Sequence, residues 1–152
     1  MKTLANAADK EEIVRRLRLI GPASKRRWGK MSVAEMICHS SDALKAAMGD
    51  IPTKDVSNIF SRYGMKWAAL LMPTRWPHGI QTVPECDPQR DGTRPVEMEN
   101  DLRELEELLE RFTQVPRGYT FQAHPMFGQM TDAEWMRWGY LHMDHHLRQF
   151  WA

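Results

Sequence analysis

The stretch TDAEWMRWGYLHMDHHLRQFW, residues 131–151, decides the fold class of this chain. It opens with Thr131 and, three residues later, Glu134, the pair that forms a capping box at a helix N-terminus. Apolar residues then lie around most of a helical circumference, as is typical of a buried helix: Trp135, Met136, Trp138, Tyr140, Leu141, Met143, Leu147 and Phe150. The sequence therefore predicts a buried helix from Thr131 to about Trp151.

The same helix carries two histidines, His142 and His146, four residues apart. At this spacing both imidazoles lie on one helical face and can bind one divalent metal ion. Gly139, one turn earlier, is expected to leave room beside them, and Trp135 and Gln149 border the same face. Six randomly placed histidines would give such a pair in roughly a fifth of chains of this length. The spacing alone therefore leaves metal ligation and ordinary buried, hydrogen-bonded histidines both open.

The rest of the chain also has the patterns of helices. Ser32 and Glu35 form a second capping box, and Gly49 is a plausible stop for the helix that follows. No stretch shows the sustained period-2 alternation of a strand. The sequence predicts an all-α fold, a four-helix bundle with an additional helical crossover segment. The other predicted pieces are helices over about 9–20, 56–72 and 96–115, and a proline-rich loop from Pro73 to Pro95.

His39 is the only histidine on the second predicted helix. At 100° per residue it lies about 120° from the centre of the apolar stripe of that helix, at the flank of the core face. A neighbouring helix could meet it there. Three imidazoles from two helices would leave coordination positions open, which is the arrangement of a catalytic rather than a structural metal site.

The remaining candidate residues are interpreted more simply. His145 points away from the gap between the paired histidines and is read as packing or hydrogen bonding. His124 either caps the site or orders the turn before Pro125, and His78 is assigned no role. Asp42, one turn after His39, is an exposed carboxylate or, as the alternative, orients that imidazole.

Composition limits the classes of function. The chain has 152 residues, which is one domain's worth, and a net charge of +1, which favours neither nucleic acid nor an anionic membrane. The two cysteines, without a CxxC pair, indicate a reducing compartment. The longest apolar stretch, from Trp67 to Met72, is too short for a membrane span, and no signal peptide is evident. We expect a cytoplasmic protein with a single domain over residues 1–152.

Three separated motifs resemble the DinB-like (YfiT-like) metalloenzyme superfamily. They are WGKMSVAEMICHSSDAL at residues 28–44, HPMFG at residues 124–128, and the terminal HMDHHLRQF at residues 142–150. The HPxFG loop and the terminal HxxHHLRQF are most similar to an uncharacterised branch of that superfamily. The resemblance spans most of the chain.

The resemblance implies a four-helix bundle in up-down-down-up order with a divalent metal bound by His39, His142 and His146. It implies nickel or zinc, with iron as a further option, and a homodimer. Relatives of this kind are hydrolases or thiol-dependent S-transferases and isomerases acting on small molecules. For this branch the resemblance names no substrate.

Two functional hypotheses follow. In the first, the metal lowers the pKa of a bound water or thiol, and the loop from Pro73 to Pro95 forms one wall of the substrate pocket. In the second, the protein is a non-catalytic helical dimer whose histidines or metal are structural, and the dimer surface involves the narrow seam of the helix over 96–115 and exposed aromatic residues. Binding to DNA is disfavoured by the near-neutral charge.

Overall fold

The computed structural model describes residues 1–73 and 75–152. Within those residues the fold is all-α, as predicted, and holds no β-strand beyond an isolated bridge between His124 and Gly128. The α-helices are α1 (Ala7–Leu17), α2 (Val33–Met48), α3 (Lys66–Leu71), α4 (Met98–Thr113) and α5 (Asp132–Gln149). A π-helical segment, Ser61–Met65, runs directly into α3, and a short 3₁₀ helix covers Pro84–Cys86.

Both predicted capping boxes are present and set the starts of α2 and α5. The Ser32 hydroxyl accepts from the Glu35 backbone N–H at 3.2 Å while the Glu35 carboxylate accepts from the Ser32 N–H at 2.7 Å. Thr131 and Glu134 repeat this exchange. Gly49 ends α2 with a φ of +89°, a left-handed conformation that glycine adopts without a Cβ penalty. These local signals explain why the two helices carrying the histidines have the predicted boundaries.

The helix predicted over 56–72 starts later, and one side of it is exposed to solvent. Asn58 and Ser61 exchange hydrogen bonds between side chain and backbone, and residues 59 and 60 are the first helical ones. Only Leu70 of α3 is buried. The prediction of a helix is right, but its apolar residues do not form a core stripe. Those that remain exposed are Ile59, Phe60, Tyr63, Trp67 and Leu71.

The core lies where α2 packs against α4 and α1 against α5. The seam of α4, with Leu105, Leu109 and Phe112, is fully buried against the other helices. Burial of each such side chain contributes about 1.5–3 kcal/mol. Because this seam is covered within the chain, it is not available as a dimer surface, contrary to the second hypothesis. Helix α5 is buried around most of its circumference, as its composition predicts.

The proline-rich segment is held over α2 by a buried carboxylate. Asp42 has no exposed surface and accepts two hydrogen bonds from Thr93, one from the backbone N–H and one from the hydroxyl, both at 2.7 Å. Both interpretations of Asp42 are therefore wrong: it is not exposed, and the polar atom bound to the His39 ring belongs to another residue. Its role is to anchor the chain after the 3₁₀ helix, which rests on α2.

No helix in the described part of the chain is long and apolar enough to cross a membrane.

Candidate metal centre

The structure brings together the three histidines that the sequence singled out. His39 comes from α2, and His142 and His146 come from α5. One ring nitrogen from each lies within 4.8 Å of the others, and the Nε2 atoms of His39 and His142 are 3.2 Å apart. His39 and His142 are buried, while His146 is half-buried.

A backbone carbonyl fixes the ring of His39. Its Nδ1 lies 2.7 Å from the carbonyl oxygen of Cys86, at the end of the 3₁₀ helix. Because a carbonyl oxygen only accepts, Nδ1 carries the proton and donates, which leaves the lone pair on Nε2. The 3₁₀ helix thus selects the tautomer of His39 that can bind a metal ion through Nε2.

A glutamine fixes the ring of His146 in the same sense. Gln149 is buried and its Oε1 lies 3.1 Å from Nδ1 of His146, while its Nε2 donates to the Trp28 carbonyl at 2.8 Å. The Trp28 carbonyl requires the amide nitrogen on its side, so the amide oxygen must face His146. The hydrogen on His146 is then on Nδ1 and the lone pair is on Nε2.

The ring of His142 is oriented by stacking on a tryptophan. Its ring lies against Trp138 with centroids 4.7 Å apart and planes only 14° from parallel. Its Nδ1 is buried and has no hydrogen-bond partner among the described residues. Its Nε2 lies 3.2 Å from Nε2 of His39, a spacing that fits either a hydrogen bond donated by His142 to the His39 lone pair or ligation of one metal ion by both nitrogens.

The surroundings keep all three imidazoles neutral. Burial lowers the pKa of His39 below its usual value, and lowers the pKa of His142 and of His146 well below it. The neighbouring imidazoles add to the shift for His142 and His146. Neutral rings are the form that ligates a metal. A site built to bind protons would place carboxylates here instead.

The donor set fits a divalent metal ion, which imidazole nitrogens commonly bind. Three nitrogens at the usual 2.0–2.1 Å from a tetrahedral ion lie about 3.3 Å from each other, and the pair at 3.2 Å already has this spacing. Cys86 also lines the cavity, but its sulfur is not among the ligand atoms that converge with the three imidazoles in the described residues. Three protein ligands leave at least one coordination position open, which is the pattern of catalytic sites.

His124 orders its turn, as one of its two predicted roles required. Its Nδ1 accepts hydrogen bonds from the backbone N–H groups of Met126 and Phe127, at 3.1 and 3.2 Å. Its ring stacks on Phe127 and packs on Trp138. Burial among these rings lowers the pKa of His124 to about 3. The HPMFG motif is thus a turn whose His124 ring packs against Trp138 of α5.

His145 packs in an aromatic cluster, as predicted, and does not join the three ligands. It lies beside Trp28, Trp76 and His78. Sequence reasoning missed His78, whose ring stacks on Trp28 with centroids 3.9 Å apart. Trp28 and His78 are 50 positions apart in the sequence, so no local pattern predicts that their rings stack.

Gly139 does not leave room beside the imidazoles, contrary to expectation. A Cβ at this position would lie 2.7 Å from Cδ1 of Leu4 and 3.1 Å from Cε1 of Phe112. The glycine therefore lets the N-terminal segment and α4 pack closely on α5. Trp135 and Gln149 do border the site, as predicted: Trp135 lines the adjoining cavity and Gln149 binds His146.

The three histidines open into a cavity of about 360 Å³. The proline-rich segment forms one wall through Trp76, Ile80 and Val83, as predicted. Helices α2 and α3, the turn at residues 123–127 and α5 form the others.

Fold and site together define an all-α protein with three converging imidazoles that line a cavity. The chain belongs to the family described as "Protein of unknown function (DUF1569)", whose model matches residues 3–152. No curated protein matches the chain, and no solved structure matches it.

Proposed function

We propose that this protein is an enzyme that acts on a small molecule with a divalent metal ion held by His39, His142 and His146. The observation that carries the proposal is the convergence of three neutral imidazoles that line a cavity large enough for a small molecule. A purely structural site would have its ligands closed around the ion, whereas here the open side faces the cavity.

Zinc and nickel are the ions we propose, with iron as a further option. Imidazole donors suit all three, and the ligand set has neither the thiolates nor the carboxylates that would narrow the choice. When bound, such an ion lowers the pKa of a coordinated water or thiol and so supplies a nucleophile at neutral pH. Hydrolysis and thiol-dependent transfer are the reaction types that this chemistry allows.

The chain's own residues would position and shield the reacting groups. The Cys86 carbonyl and Gln149 hold two of the ligand rings in their metal-binding tautomers. Trp76 and Trp138 lie beside the histidines and cover them with apolar surface. Exclusion of water in this way strengthens the interaction between a metal ion and developing negative charge.

We further propose that the chain is a divergent DinB-like protein, with a four-helix bundle made of α1, α2, α4 and α5. What supports this is the order of the helices, the His39 position on the second of them, and the terminal His142 and His146. The crossover segment would then contain α3 and the proline-rich loop.

Metal titration tests the proposal. Chelator-treated protein is titrated with Zn²⁺ and with Ni²⁺ against a competing chromophoric chelator. We expect one ion per chain, and loss of this binding in His39→Ala and His142→Ala. His78→Ala is the matched control, because His78 lies close by but outside the three ligands. Binding that survives His142→Ala, or falls equally in His78→Ala, would show that the three histidines are not the site.

A second proposal concerns assembly: the outer face of the segment over 59–71 forms a homodimer interface. The side chains of this outer face, Ile59, Phe60, Tyr63, Trp67 and Leu71, are between 52% and 80% exposed. Large aromatic side chains bury about 150–250 Å² each, so the face offers on the order of 500 Å². A standard interface buries about 800 Å² per partner, so these side chains would form the apolar centre of the interface and the residues around them would supply the remaining area.

The charges beside this face are compatible with a second copy of the same chain. Arg62 pairs with Asp55 at 2.8 Å, and Lys66 pairs with Glu134 at 3.1 Å. Two identical copies related by a two-fold axis would therefore meet without an uncompensated charge. Sedimentation equilibrium should give a dimer for the native protein and a monomer for Tyr63→Glu. A native monomer at 50 µM or so, far above the dissociation constants of standard interfaces, would refute the dimer.

A further inference from the structure

The walls of the cavity are mainly apolar. Alanines from two helices line it together with methionine and aromatic side chains. Its one side chain with a permanent charge is Arg75, and no carboxylate lines it in the described part of the chain. The main apolar lining residues are Ala43, Ala47, Ala68, Ala69, Met65, Met126, Phe127, Trp76, Trp135 and Trp138.

The alanines create the space. Ala43 and Ala47 lie one turn apart on α2, and Ala68 and Ala69 lie on the inner side of α3. Larger apolar side chains at these four positions would fill much of the 360 Å³. The lining methionines, Met31, Met65 and Met126, are flexible and polarisable, so the cavity can adapt to ligands of different shape.

Such a lining favours apolar ligands over polar ones. An apolar ligand gains about 25 cal/mol per Å² of surface removed from water. A ligand rich in hydroxyl, amide or carboxylate groups would leave most of these groups without hydrogen bonds against alanine and tryptophan, which weakens its binding. The place where the three imidazoles converge is called the histidine end of the cavity, and the other polar side chains that line it are Arg75, Gln81, Thr82, His124 and His145.

We infer that the substrate is a small, mainly apolar molecule, aromatic or aliphatic, whose single polar group reaches the histidine end. This inference rests on the proposed metal-dependent function and adds the substrate class to it. The mainly apolar lining disfavours strongly hydrophilic peptides, sugars and nucleotides as the molecule that fills the cavity. The reacting polar group lies at the metal, and the apolar body lies between α2, α3 and Trp135.

A pair of metal-binding probes tests the inference. Imidazole and 4-phenylimidazole are titrated into the Co²⁺-loaded full-length protein, and the visible spectrum of Co²⁺ is followed. We expect 4-phenylimidazole to bind at least about 30-fold more tightly, because burying its phenyl ring removes on the order of 100 Å² of apolar surface from water. Equal affinities of the two probes would overturn the inference while leaving the metal site intact.

Variants locate the effect. Ala68→Phe fills part of the cavity from α3, a helix that carries none of the three histidines, and should reduce the preference for 4-phenylimidazole at least tenfold while metal stoichiometry is unchanged. Ala69→Leu, a smaller change on the same wall, should act in the same direction. Ala133→Phe is the matched control because Ala133 is exposed at the start of α5. A preference that persists in both wall variants would contradict the inference.

A metal-independent readout separates failure of this inference from failure of the proposed function. N-phenyl-1-naphthylamine is uncharged and fluoresces in apolar surroundings. In chelator-treated protein we expect it to bind one per chain, at least tenfold more weakly in Ala68→Phe and unchanged in Ala133→Phe. If Co²⁺ does not bind but the dye behaves in this way, the metal proposal fails and the apolar cavity stands. If the dye does not bind, the apolar ligand class is wrong.

Discussion

Gln149 offers the sharpest test of how this site is built, because its side chain bridges a candidate ligand and the backbone. It accepts from Nδ1 of His146 at 3.1 Å and donates to the Trp28 carbonyl at 2.8 Å. Gln149→Leu keeps the approximate volume and removes both hydrogen bonds. Loss of a hydrogen-bond partner of this kind lowers metal affinity about 10–100-fold, which corresponds to about 1.4–2.7 kcal/mol.

The same substitution also acts on the fold. Gln149 is only 4% exposed, so its removal leaves the His146 ring and the Trp28 carbonyl without partners in a buried place. Each unsatisfied group costs about 1–3 kcal/mol. We therefore expect Gln149→Leu to lower both the zinc affinity and the free energy of unfolding of the metal-free protein.

Gln149→Glu separates the two effects. The carboxylate still accepts from His146, and a carboxylate partner raises the basicity of a ligating imidazole. It can no longer donate to Trp28. We expect zinc affinity equal to or above that of the native protein, but a less stable metal-free form. Competition with a chromophoric chelator measures affinity, and urea unfolding measures stability. Native-like zinc affinity in Gln149→Leu would refute the account of how His146 is oriented.

Three further outcomes are expected. Chelator treatment should lower the unfolding temperature but leave a cooperatively folded helical protein, because the core does not depend on the site; helical circular dichroism that collapses on chelation would contradict this. The pKa of His124 is lowered to about 3, so the unfolded chain binds more protons and stability falls as the pH drops from about 6.5 toward 3. Between pH 7 and pH 5, the low pKa of His124 should lower the free energy of unfolding by about 2 kcal/mol. His124→Asn should lack this part of the pH dependence. Acid-unfolding curves that coincide for the two proteins would contradict the prediction. Gly139→Ala should destabilise by about 1–3 kcal/mol through overpacking against Phe112, whereas Gly64→Ala, beside an exposed ring, should be neutral in thermal melts; equal effects would remove the packing explanation.

Sequence reasoning was most successful where the signal is local. The capping boxes at Ser32 and Thr131 and the left-handed Gly49 depend on residues a few positions apart, so they predict the bounds of α2 and most of α5. The grouping of His142 with His146 follows from helical periodicity alone. The position of His39 at the flank of its helix also predicted that it could meet α5, which the structure bears out.

What the sequence could not supply depends on contacts between distant segments. The carbonyl that binds His39 comes from Cys86, whose place follows from the path of the loop and from the Asp42 anchor at Thr93. Gly139 was assigned to the wrong neighbours, because the packing of Leu4 on α5 has no local signature. The apolar residues of the segment over 59–71 have helical periodicity, but periodicity does not say whether a face meets the core of its own chain or another surface.

The central claim is that His39, His142 and His146 hold a divalent metal ion. X-ray absorption of the zinc-loaded protein at the zinc edge tests it directly. The account predicts three imidazole nitrogens at about 2.0–2.1 Å, one further light atom, and no sulfur. A sulfur scatterer at about 2.3 Å, a shell of oxygens alone, or a spectrum unchanged in His142→Ala would contradict it.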